Sequence, residues 1–403
     1  MRALIIKYMK SNKLTKFKRT EIGMIPSDWE VLSIKQCSSI CAGGTPSTLV
    51  DEYWGGSIPW MNSGEIHLKK IKDVSGRITI KGLNNSSTKL LPKYCVLIAL
   101  AGQGKTRGTV GINMVELCTN QSVAAIMPST LFNSMFLYYY LDNQYKQLRQ
   151  LSDGDGGRGG LTKGLLENLM VPIPFKKEQE KIANALTRID NLIEDYEKLI
   201  KKKEKIKQGL MQNLITGKVR LKGFDTIYKT DSLGNICEIK KGKQINGNVL
   251  LNKGKYYMLN GGQEPSGYLN QYNTLENTIS ISEGGNSCGY VNYNKEKFWA
   301  GGHLYIVDRF KTKMDTLYFY YLLKHNESSI MQLRKGSGLP NIQKSDLMSF
   351  EIYLTDDIKE QVAISQILSN ADNEINDLKI KLNKIIDIKK GMLDNLLTGR
   401  IRL

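Results

Sequence analysis

The sequence lacks the groups of residues from which most catalytic and metal sites are built. Its three histidines (His67, His303 and His325) are dispersed, and its six cysteines form no Cys-x-x-Cys pair. This spacing argues against zinc and against a disulfide framework, and it fits a reducing cytosol. No Asn/Asp-Pro-Pro-aromatic motif for amino-methyl transfer is present. We therefore expect a structural role for each histidine, no metal site and no catalytic residue in this chain.

Long apolar runs and an acidic excess are also absent. No run of about 18 apolar residues exists, so the sequence predicts no membrane span. The net charge is +18 over 403 residues, and the excess is distributed along the chain. A broadly basic protein most often binds DNA or RNA, although a lysine-rich proteome would give the same composition. Residues 1–28 have no signal cleavage site, and we interpret them as an N-terminal arm.

What the sequence does contain is a repeat at a spacing of 182 residues. The segment EQEKIANALTRIDNLIEDYEKLIKKKEKIKQGLMQNLITGKVRL (178–221) returns as EQVAISQILSNADNEINDLKIKLNKIIDIKKGMLDNLLTGRIRL (360–403), without a gap and with 18 identical positions. This period is far longer than the roughly 20–50 residues of a solenoid unit. The chain is therefore two copies of one module, and we expect them to be related by a pseudo-two-fold axis.

Both copies of the repeated segment have apolar residues at alternating spacings of four and three, which predicts a long helix with a pairing seam. The first helix should cover about 178–215, and Gly217 and Gly399 stand where a C-terminal capping glycine belongs. We expect the helices to pair as an antiparallel coiled coil that spaces the domains, in preference to two helices that each pack on their own domain. Lys203 interrupts the first seam at the position of Ile385, and the pattern gives no reason for it. The predicted seam consists of Ile182, Leu186, Ile189, Ile193, Tyr196, Ile200, Ile364, Leu368, Ala371, Ile375, Leu378, Leu382 and Ile385.

Two regions of weaker similarity, 29–177 and 231–359, alternate with the repeated segments, and residues 222–230 form a linker. Short β-branched runs broken by glycine and asparagine predict strands and turns. The aromatic segments that begin at Met135 and Leu317 predict short helices. The expected fold is α+β, with two domains separated by two long helices.

The segment AGQGKTRG (101–108) matches a loose form of the P-loop pattern, the phosphate-binding loop of many ATPases. A P-loop lysine and threonine must be followed by a helix, whereas Lys105 and Thr106 precede β-branched residues that predict a strand. The corresponding loop of the second region, 283–289, has no lysine. Because the loop combines a flexible backbone, amide donors and cations, we interpret it as a DNA contact.

Several short segments of the first half are distinctive: TEIGMIPSDW (20–29), GGTP (43–46), IPWMN (58–62), TNQ (119–121), and VPIP followed by EQ (171–179). Together with two variable α+β domains that alternate with two similar long helices, they resemble the specificity subunit of type I restriction–modification systems. The resemblance covers about residues 20–403. The second domain departs from it, with Lys-Gly-Lys (241–243) in place of Gly-Gly-Thr-Pro and Tyr-Leu-Thr in place of Pro-Ile-Pro.

The resemblance implies a non-catalytic, cytoplasmic and nucleoid-associated subunit that selects double-stranded DNA. Each domain would be a target-recognition domain that reads one half of a bipartite target. The long helices would set the spacer and bind two methyltransferase (modification) subunits, which restriction/translocase subunits then join. S-adenosylmethionine, ATP and magnesium would belong to those partners. Two other hypotheses remain open: a self-contained DNA-acting enzyme (nuclease or P-loop ATPase), and a coiled-coil adaptor protein.

Candidate DNA contacts are lysine and arginine side chains for phosphates and polar loop side chains for base edges. The candidates in the first domain are Thr45, Asn62, Gln103, Lys105, Thr106, Arg107, Arg149 and Arg158. The candidates in the second domain are Lys241, Lys243, Asn260, Gln263, Asn286, Arg334 and Lys344.

Overall fold

The chain divides into two compact units in a computed structural model that describes residues 15–102, 104–151, 160–336, 338 and 340–403. Unit 1 consists of residues 1–195 and 382–403, and unit 2 consists of residues 196–381. The division falls inside both long helices. Each unit therefore contains one domain, part of one long helix and part of the other.

Unit 1 is a mixed domain with its strands in several small sheets. Its described helices are α1 Ile34–Cys37, α2 Ile80–Asn84, α3 Ser134–Asn143, α4 Tyr145–Leu151, α5 Lys163–Glu167 and the first part of α6 Lys176–Ile215. Its described strands are β1 Phe17–Thr20, β2 Gly23–Pro26, β3 Glu30–Ser33, β4 Ile40–Ala42, β5 Trp54–Met61, β6 Lys70–Ile71, β7 Gly76–Ile78, β8 Val96–Ala99, β9 Val110–Asn113, β10 Cys118–Thr119, β11 Val123–Ile126 and β12 Met170–Ile173. The strand orders are β4-β11-β8-β9-β6, β10-β5-β7, β12-β3 and β1-β2.

Unit 2 repeats this plan with fewer strands. Its described helices are α7 Leu233–Ile236, α8 Thr316–His325, α9 Glu327–Gln332, α10 Lys344–Met348 and the first part of α11 Ile358–Leu396. Its described strands are β13 Lys229–Ser232, β14 Cys237–Lys241, β15 Tyr256–Leu259, β16 Gly267–Leu269, β17 Thr278–Ser282, β18 Val291–Asn294, β19 Trp299–Ala300, β20 Leu304–Phe310 and β21 Glu351–Leu354. The strand orders are β14-β20-β17-β18, β16-β15-β19 and β13-β21.

The same order of strands is present in both domains. The run β4-β11-β8-β9 of the first domain corresponds to β14-β20-β17-β18 of the second, and in both runs neighbouring strands are antiparallel. The aromatic segments form α3 and α8, each capped by a side chain that accepts a backbone N–H. The predicted α+β class and internal repeat are confirmed. None of the helices in the described ranges is long and apolar enough to cross a membrane.

The two long helices end where the sequence predicts. Helix α6 covers 40 residues and α11 covers 39. Gly217 and Gly399 both have a φ of 67°, in the left-handed region that favours glycine at a helix C-terminus. The N–H of Val219 then reaches back to the carbonyl of Asn213, and Ile401 does the same to Asn395. Each glycine therefore stops its helix and turns the chain.

Ion pairs join the two helices in antiparallel order within unit 2. Lys203 Nζ lies 2.7 Å from Glu374 Oε1, and Lys207 Nζ lies 2.5 Å from Asp372 Oδ1. Because the sequence number rises along α6 while it falls along α11, the helices run antiparallel. The polar seam position at Lys203 thus has a reason: its ammonium group pairs with an acidic side chain of the other helix, whereas Ile385 is buried.

Unit 1 contains the equivalent arrangement, made by residues of the other copy of each repeated position. Lys389 Nζ lies 2.7 Å from Asp190 Oδ1, and both residues are 182 positions from the Lys207–Asp372 pair of unit 2. Tyr139 donates a hydrogen bond of 2.7 Å to Asp190, and Tyr321 donates one of 2.8 Å to Asp372. One acidic side chain in each unit therefore connects both long helices to a helix of the domain.

The predicted seam serves the domain cores as well as helix pairing. Every predicted seam residue is buried or half-buried. Ile182 and Leu186 belong to the core of unit 1, which also contains Trp29. Ile364 and Leu368 belong to the core of unit 2. Pairing between helices and packing of each helix on a domain, which the sequence presents as alternatives, occur together.

The glutamine of the Glu-Gln pair that begins each repeated segment makes corresponding hydrogen bonds in both units, which gives a reason for its recurrence. In unit 1, Gln179 is fully buried, accepts the backbone N–H of Asn133 at 2.6 Å and donates to the Pro174 carbonyl at 2.7 Å. In unit 2, Gln361 accepts the N–H of Asp315 at 2.9 Å and donates to the Thr355 carbonyl. The glutamine fixes the helix start to the loop before the aromatic helix.

Candidate nucleic-acid interface

Several strands of the first domain end at one edge. Strands β4 and β8 both pair antiparallel with β11, so that Ala42 and Ala99, their last residues, lie opposite Ala124 and Val123. Strand β10 runs parallel to β5, and Thr119 pairs with Met61 where both strands end. The loops that follow these strands therefore begin side by side.

Backbone hydrogen bonds tie these loops together. The N–H of Gly44 donates to the Thr119 carbonyl at 2.8 Å, that of Asn120 to Met61 at 3.0 Å, and that of Leu100 to Ser122 at 2.8 Å. We define the first loop cluster as residues 43–47, 62, 100–102, 104–109 and 119–122.

The second domain has the same edge. Lys241 and Ser282, which end β14 and β17, pair with Tyr305 and Leu304 of β20. The N–H of Gly301 donates to the Leu259 carbonyl at 2.7 Å, as Asn120 does to Met61 in the first domain. We define the second loop cluster as residues 241–244, 260–263, 283–289, 301–303, 334–336 and 340–344.

Both clusters depend on a glycine at the end of their first strand. A Cβ on Gly43 would lie 2.2 Å from the Asn120 carbonyl oxygen, and one on Gly242 would lie 2.1 Å from the Gly301 oxygen. Neither oxygen can give way, because both belong to the backbone. The Gly-Gly-Thr-Pro and Lys-Gly-Lys segments therefore perform the same task, which is to let two loops approach closely.

The residues predicted to bind DNA in the first domain differ in their exposure and in their hydrogen bonds. Thr45 Oγ1 donates a hydrogen bond of 2.6 Å to Gln121 Oε1. Asn62 caps a 3-10 turn by accepting the N–H of Gly64 at 2.8 Å. Lys105 is exposed, whereas Thr106 and Arg107 are half-buried. Gln103 and Arg158 lie outside the described residues.

Arg149 belongs to α4 and contacts the loop after β8 from its inner side. Its Nη1 donates to the Gly104 carbonyl and, at 3.1 Å, to the hydroxyl of Tyr145. The loop leads from β8 into the strand β9, so it does not have the following helix that a P-loop needs. The interpretation of this segment as a strand–loop–strand is confirmed.

All the candidates of the second domain lie in the second loop cluster. Most of their side chains are exposed, and Asn260 is half-buried, with Oδ1 accepting the N–H of His303 at 3.3 Å. The exposed candidates are Lys241, Lys243, Gln263, Asn286, Arg334 and Lys344. These candidates come from five separate stretches of sequence, and their role as DNA contacts stays a prediction.

Glu283 is the feature that most distinguishes the second cluster from the first. It is buried, with Oε1 2.7 Å from Lys241 Nζ and 3.2 Å from the Tyr305 hydroxyl. Burial, together with this carboxylate, raises the pKa of Tyr305 to about 12. Leu100 is the equivalent residue in the first domain. The carbonyl of Leu100 accepts the N–H of Leu161, and the carbonyl of Glu283 accepts the N–H of Ile342 in the same way. The clusters share a backbone plan and differ in charge.

The family described as "Type I restriction modification DNA specificity domain" matches the chain twice, at residues 26–208 and 228–387. The chain belongs to this family. Each match starts before one domain and ends within the long helix that follows it. Each specificity domain therefore includes one loop cluster.

Relatives and a solved structure extend the match to nearly the full chain. The type I restriction enzyme MjaIX specificity subunit of Methanocaldococcus jannaschii is 28% identical over 426 residues, covering 96% of this chain and 97% of the relative. The putative type I specificity subunit S.MpnORF638P of Mycoplasma pneumoniae is 36% identical over 184 residues, or 45% of this chain and 47% of that protein. The crystal structure of the S subunit of a type I restriction–modification system from M. genitalium has the same fold, with a TM-score of 0.68 at 20% identity over 96% of this chain and 98% of that one.

Two further polar residues lie in the loop clusters and are absent from the candidates predicted from the sequence. Gln121 is exposed and bonds Thr45, and its only signal was its place in the Thr-Asn-Gln step. His303 is exposed, with Nδ1 3.6 Å from Glu283 Oε2, and its expected structural role stays a prediction. Within the described ranges, no group of three or more histidine, cysteine or acidic side chains is placed to hold a metal ion.

Proposed function

We propose that this protein is the DNA-reading subunit of a type I restriction–modification complex, and that each specificity domain reads one half of a bipartite target. The observation that carries the proposal is the pair of loop clusters. Each lies at the same strand edge of its domain, is built on the same backbone hydrogen bonds, and presents amide, hydroxyl, lysine and arginine groups. Such groups hydrogen-bond base edges and phosphates.

The chemistry of the loop clusters supports a division between DNA binding by this chain and catalysis by partner subunits. Their side chains suit binding, and the charge of +18 favours association with a polyanion. We propose that the chain is non-catalytic and works in the cytoplasm on the nucleoid. Two methyltransferase subunits would bind S-adenosylmethionine, and restriction/translocase subunits would bind ATP and magnesium.

The proposal is tested by exchanging one domain. Residues 29–177 are replaced by the corresponding region of another specificity subunit, and methylated sites are mapped in cells that also contain the methyltransferase. We expect one half of the methylated target to change while the other half and the spacer persist. An unchanged target, or a change in both halves, would contradict one domain per half-site.

A binding assay separates this proposal from the adaptor hypothesis. The full chain, alone and with its methyltransferase, is titrated with duplex DNA at increasing salt. Phosphate contacts by lysine and arginine should make the logarithm of the affinity fall linearly with the logarithm of salt. A protein that acts only as a helical adaptor would show no such association.

A further inference from the structure

The glycine-rich loop of the first cluster is held by two side chains of α4. The Tyr145 hydroxyl donates a hydrogen bond of 3.0 Å to the carbonyl of Lys105, and Arg149 Nη1 donates to the carbonyl of Gly104. Thr109 Oγ1 adds a second donor to the Lys105 carbonyl at 2.8 Å. The Arg149 guanidinium also lies 5.8 Å from the centre of the Tyr145 ring, so the two anchors support each other.

These anchors decide which way the backbone amides point. In a trans peptide the N–H and the C=O point in opposite directions. Since the carbonyls of Gly104 and Lys105 turn towards α4, the N–H groups of Lys105 and Thr106 turn away from it. Among the described residues, neither N–H has a backbone or side-chain acceptor. The Lys105 side chain is exposed, and a Cβ on Gly104 would meet nothing within 4 Å.

From this geometry we infer that the loop binds a phosphate of the DNA backbone through the N–H groups of Lys105 and Thr106 and the Lys105 ammonium, with Tyr145 as the positioning residue. The inference rests on the proposed function and deepens it. Successive backbone amides together with a cation form a binding site for an anionic oxygen, and they carry no base information. The first loop therefore sets the register of its domain on DNA.

The corresponding loop of the second domain is built differently. It begins with the buried carboxylate of Glu283, and residues 283–290 contain no lysine or arginine. A carboxylate at the base of the loop disfavours a phosphate, because the two charges repel each other. This site of two backbone amides and one lysine therefore belongs to the first domain only, and phosphate contacts of the second cluster fall to its other lysine and arginine side chains.

Three single substitutions in the full chain test the inference. Tyr145→Phe removes only the hydroxyl that holds the Lys105 carbonyl, and Lys105→Ala removes the cation. Tyr94→Phe is the matched control, because Tyr94 is exposed, lies before β8 at the opposite end from the loop, and has a hydroxyl without a hydrogen-bond partner in the described part of the chain. Affinity is measured by fluorescence anisotropy over a range of salt, on a mixed-sequence duplex and on a duplex that carries the mapped target.

We expect Tyr145→Phe to weaken binding about five-fold on both duplexes, because the loop is no longer held in the binding conformation, and to lower the unfolding temperature by no more than about 4 °C. Lys105→Ala should weaken binding on both and reduce the salt slope by about 0.9. Tyr94→Phe should match the wild type.

Three results would overturn these statements in distinguishable ways. A loss confined to the mapped target would make the loop a base reader and refute the phosphate assignment. Tyr145→Phe with wild-type affinity, beside a weakened Lys105→Ala, would refute the positioning role. A wild-type chain that binds neither duplex would refute the proposed function itself.

Discussion

Arg402 and Glu178 form an ion pair across 224 residues of sequence, with a hydrogen bond of 2.7 Å from Nη2 to Oε2. Arg220 and Glu360 form the same pair in unit 2, at 2.8 Å and 2.9 Å. Each glutamate is the first residue of one copy of the repeated segment, and each arginine is the next-to-last residue of the other copy. In each unit, the same ion pair therefore joins the start of one copy of the repeated segment to the end of the other copy.

Replacing Arg402 by alanine should destabilise unit 1. Glu178 is buried, and among the described residues its carboxylate would keep only the hydrogen bond from Trp29, while Asp28 would lose both of its bonds from the guanidinium. Removal of one partner from a buried ion pair costs about 3 kcal/mol. Chemical denaturation should show this loss, and Arg400→Ala, at an exposed position two residues away, should show almost none. Equal stability of the two variants would mean that the pair contributes nothing.

Replacing Asp190 by asparagine should destabilise the same unit in a pH-dependent way. Burial alone would raise the pKa of Asp190, and the contacts with Lys389, Lys70 and Tyr139 overcome it, so the pKa lies below the ordinary 3.8. A depressed pKa in the folded state means that the stabilisation is present above pH 3.8 and is lost as the pH falls through the folded pKa.

At neutral pH we expect Asp190→Asn to lower the free energy of unfolding by about 3 kcal/mol, because it leaves two ammonium groups without their counter-ion. The difference from the wild type should begin to shrink as the pH falls towards 3.8 and should continue to shrink below it, because the folded pKa of Asp190 is lower than 3.8. Asp195→Asn, at an exposed position of α6, is the control. A difference that stays constant with pH would show that the charge of Asp190 is not the cause.

Gly43→Ala should weaken DNA binding through the first cluster. The new Cβ would collide with the backbone oxygens of Asn120 and Thr119, which cannot move without separating the loops. Overpacking of this kind costs about 1–3 kcal/mol, and we expect affinity for the mapped target to fall about tenfold. Gly164→Ala is the matched control, since nothing lies within 4 Å of that Cβ. Full affinity in Gly43→Ala would mean that the close approach of the loops is not needed for reading.

Sequence reasoning predicted the long helices well because their signals are local. A heptad spacing and a capping glycine at Gly217 and Gly399 require only neighbouring residues, and both helix ends lie where those signals place them. Loop roles were harder to predict. Asn62 and Arg149 have residue types that suit DNA, yet Asn62 accepts the N–H of Gly64 and Arg149 donates to the Gly104 carbonyl. The same donors serve both purposes, and a single sequence does not distinguish them.

Contacts between distant segments were beyond the sequence for a different reason. The role of Lys203 depends on the antiparallel order of two helices, since only that order brings it to Glu374. The burial of Glu283 depends on Lys241 and Tyr305, which come from two other strands. Each is a relation between elements, and periodicity within one element carries no information about it.

The length of the long helices should set the spacer of the DNA target, and the ion pairs show how to change it. Lys207 follows Asp190 by seventeen positions on α6, and Lys389 follows Asp372 by seventeen positions on α11. Each ion pair joins α6 to α11 within its own unit, and we expect Asp190–Lys389 and Lys207–Asp372 to persist together only while these two stretches have equal length. Four residues inserted after Lys203 alone make them unequal by about 6 Å of helix.

We expect that single insertion to reduce stability and assembly with the methyltransferase. A second variant with four residues inserted after both Lys203 and Ile385 restores equality and loses only the partly exposed Lys203–Glu374 pair, so it should recover most of the stability and methylate targets with a changed spacer. Methylated-site mapping and thermal unfolding of both variants check this. Recovery of activity on the original spacer by the double insertion would refute the role of the helices as a spacer, because the helical segment would then have grown without effect on the target.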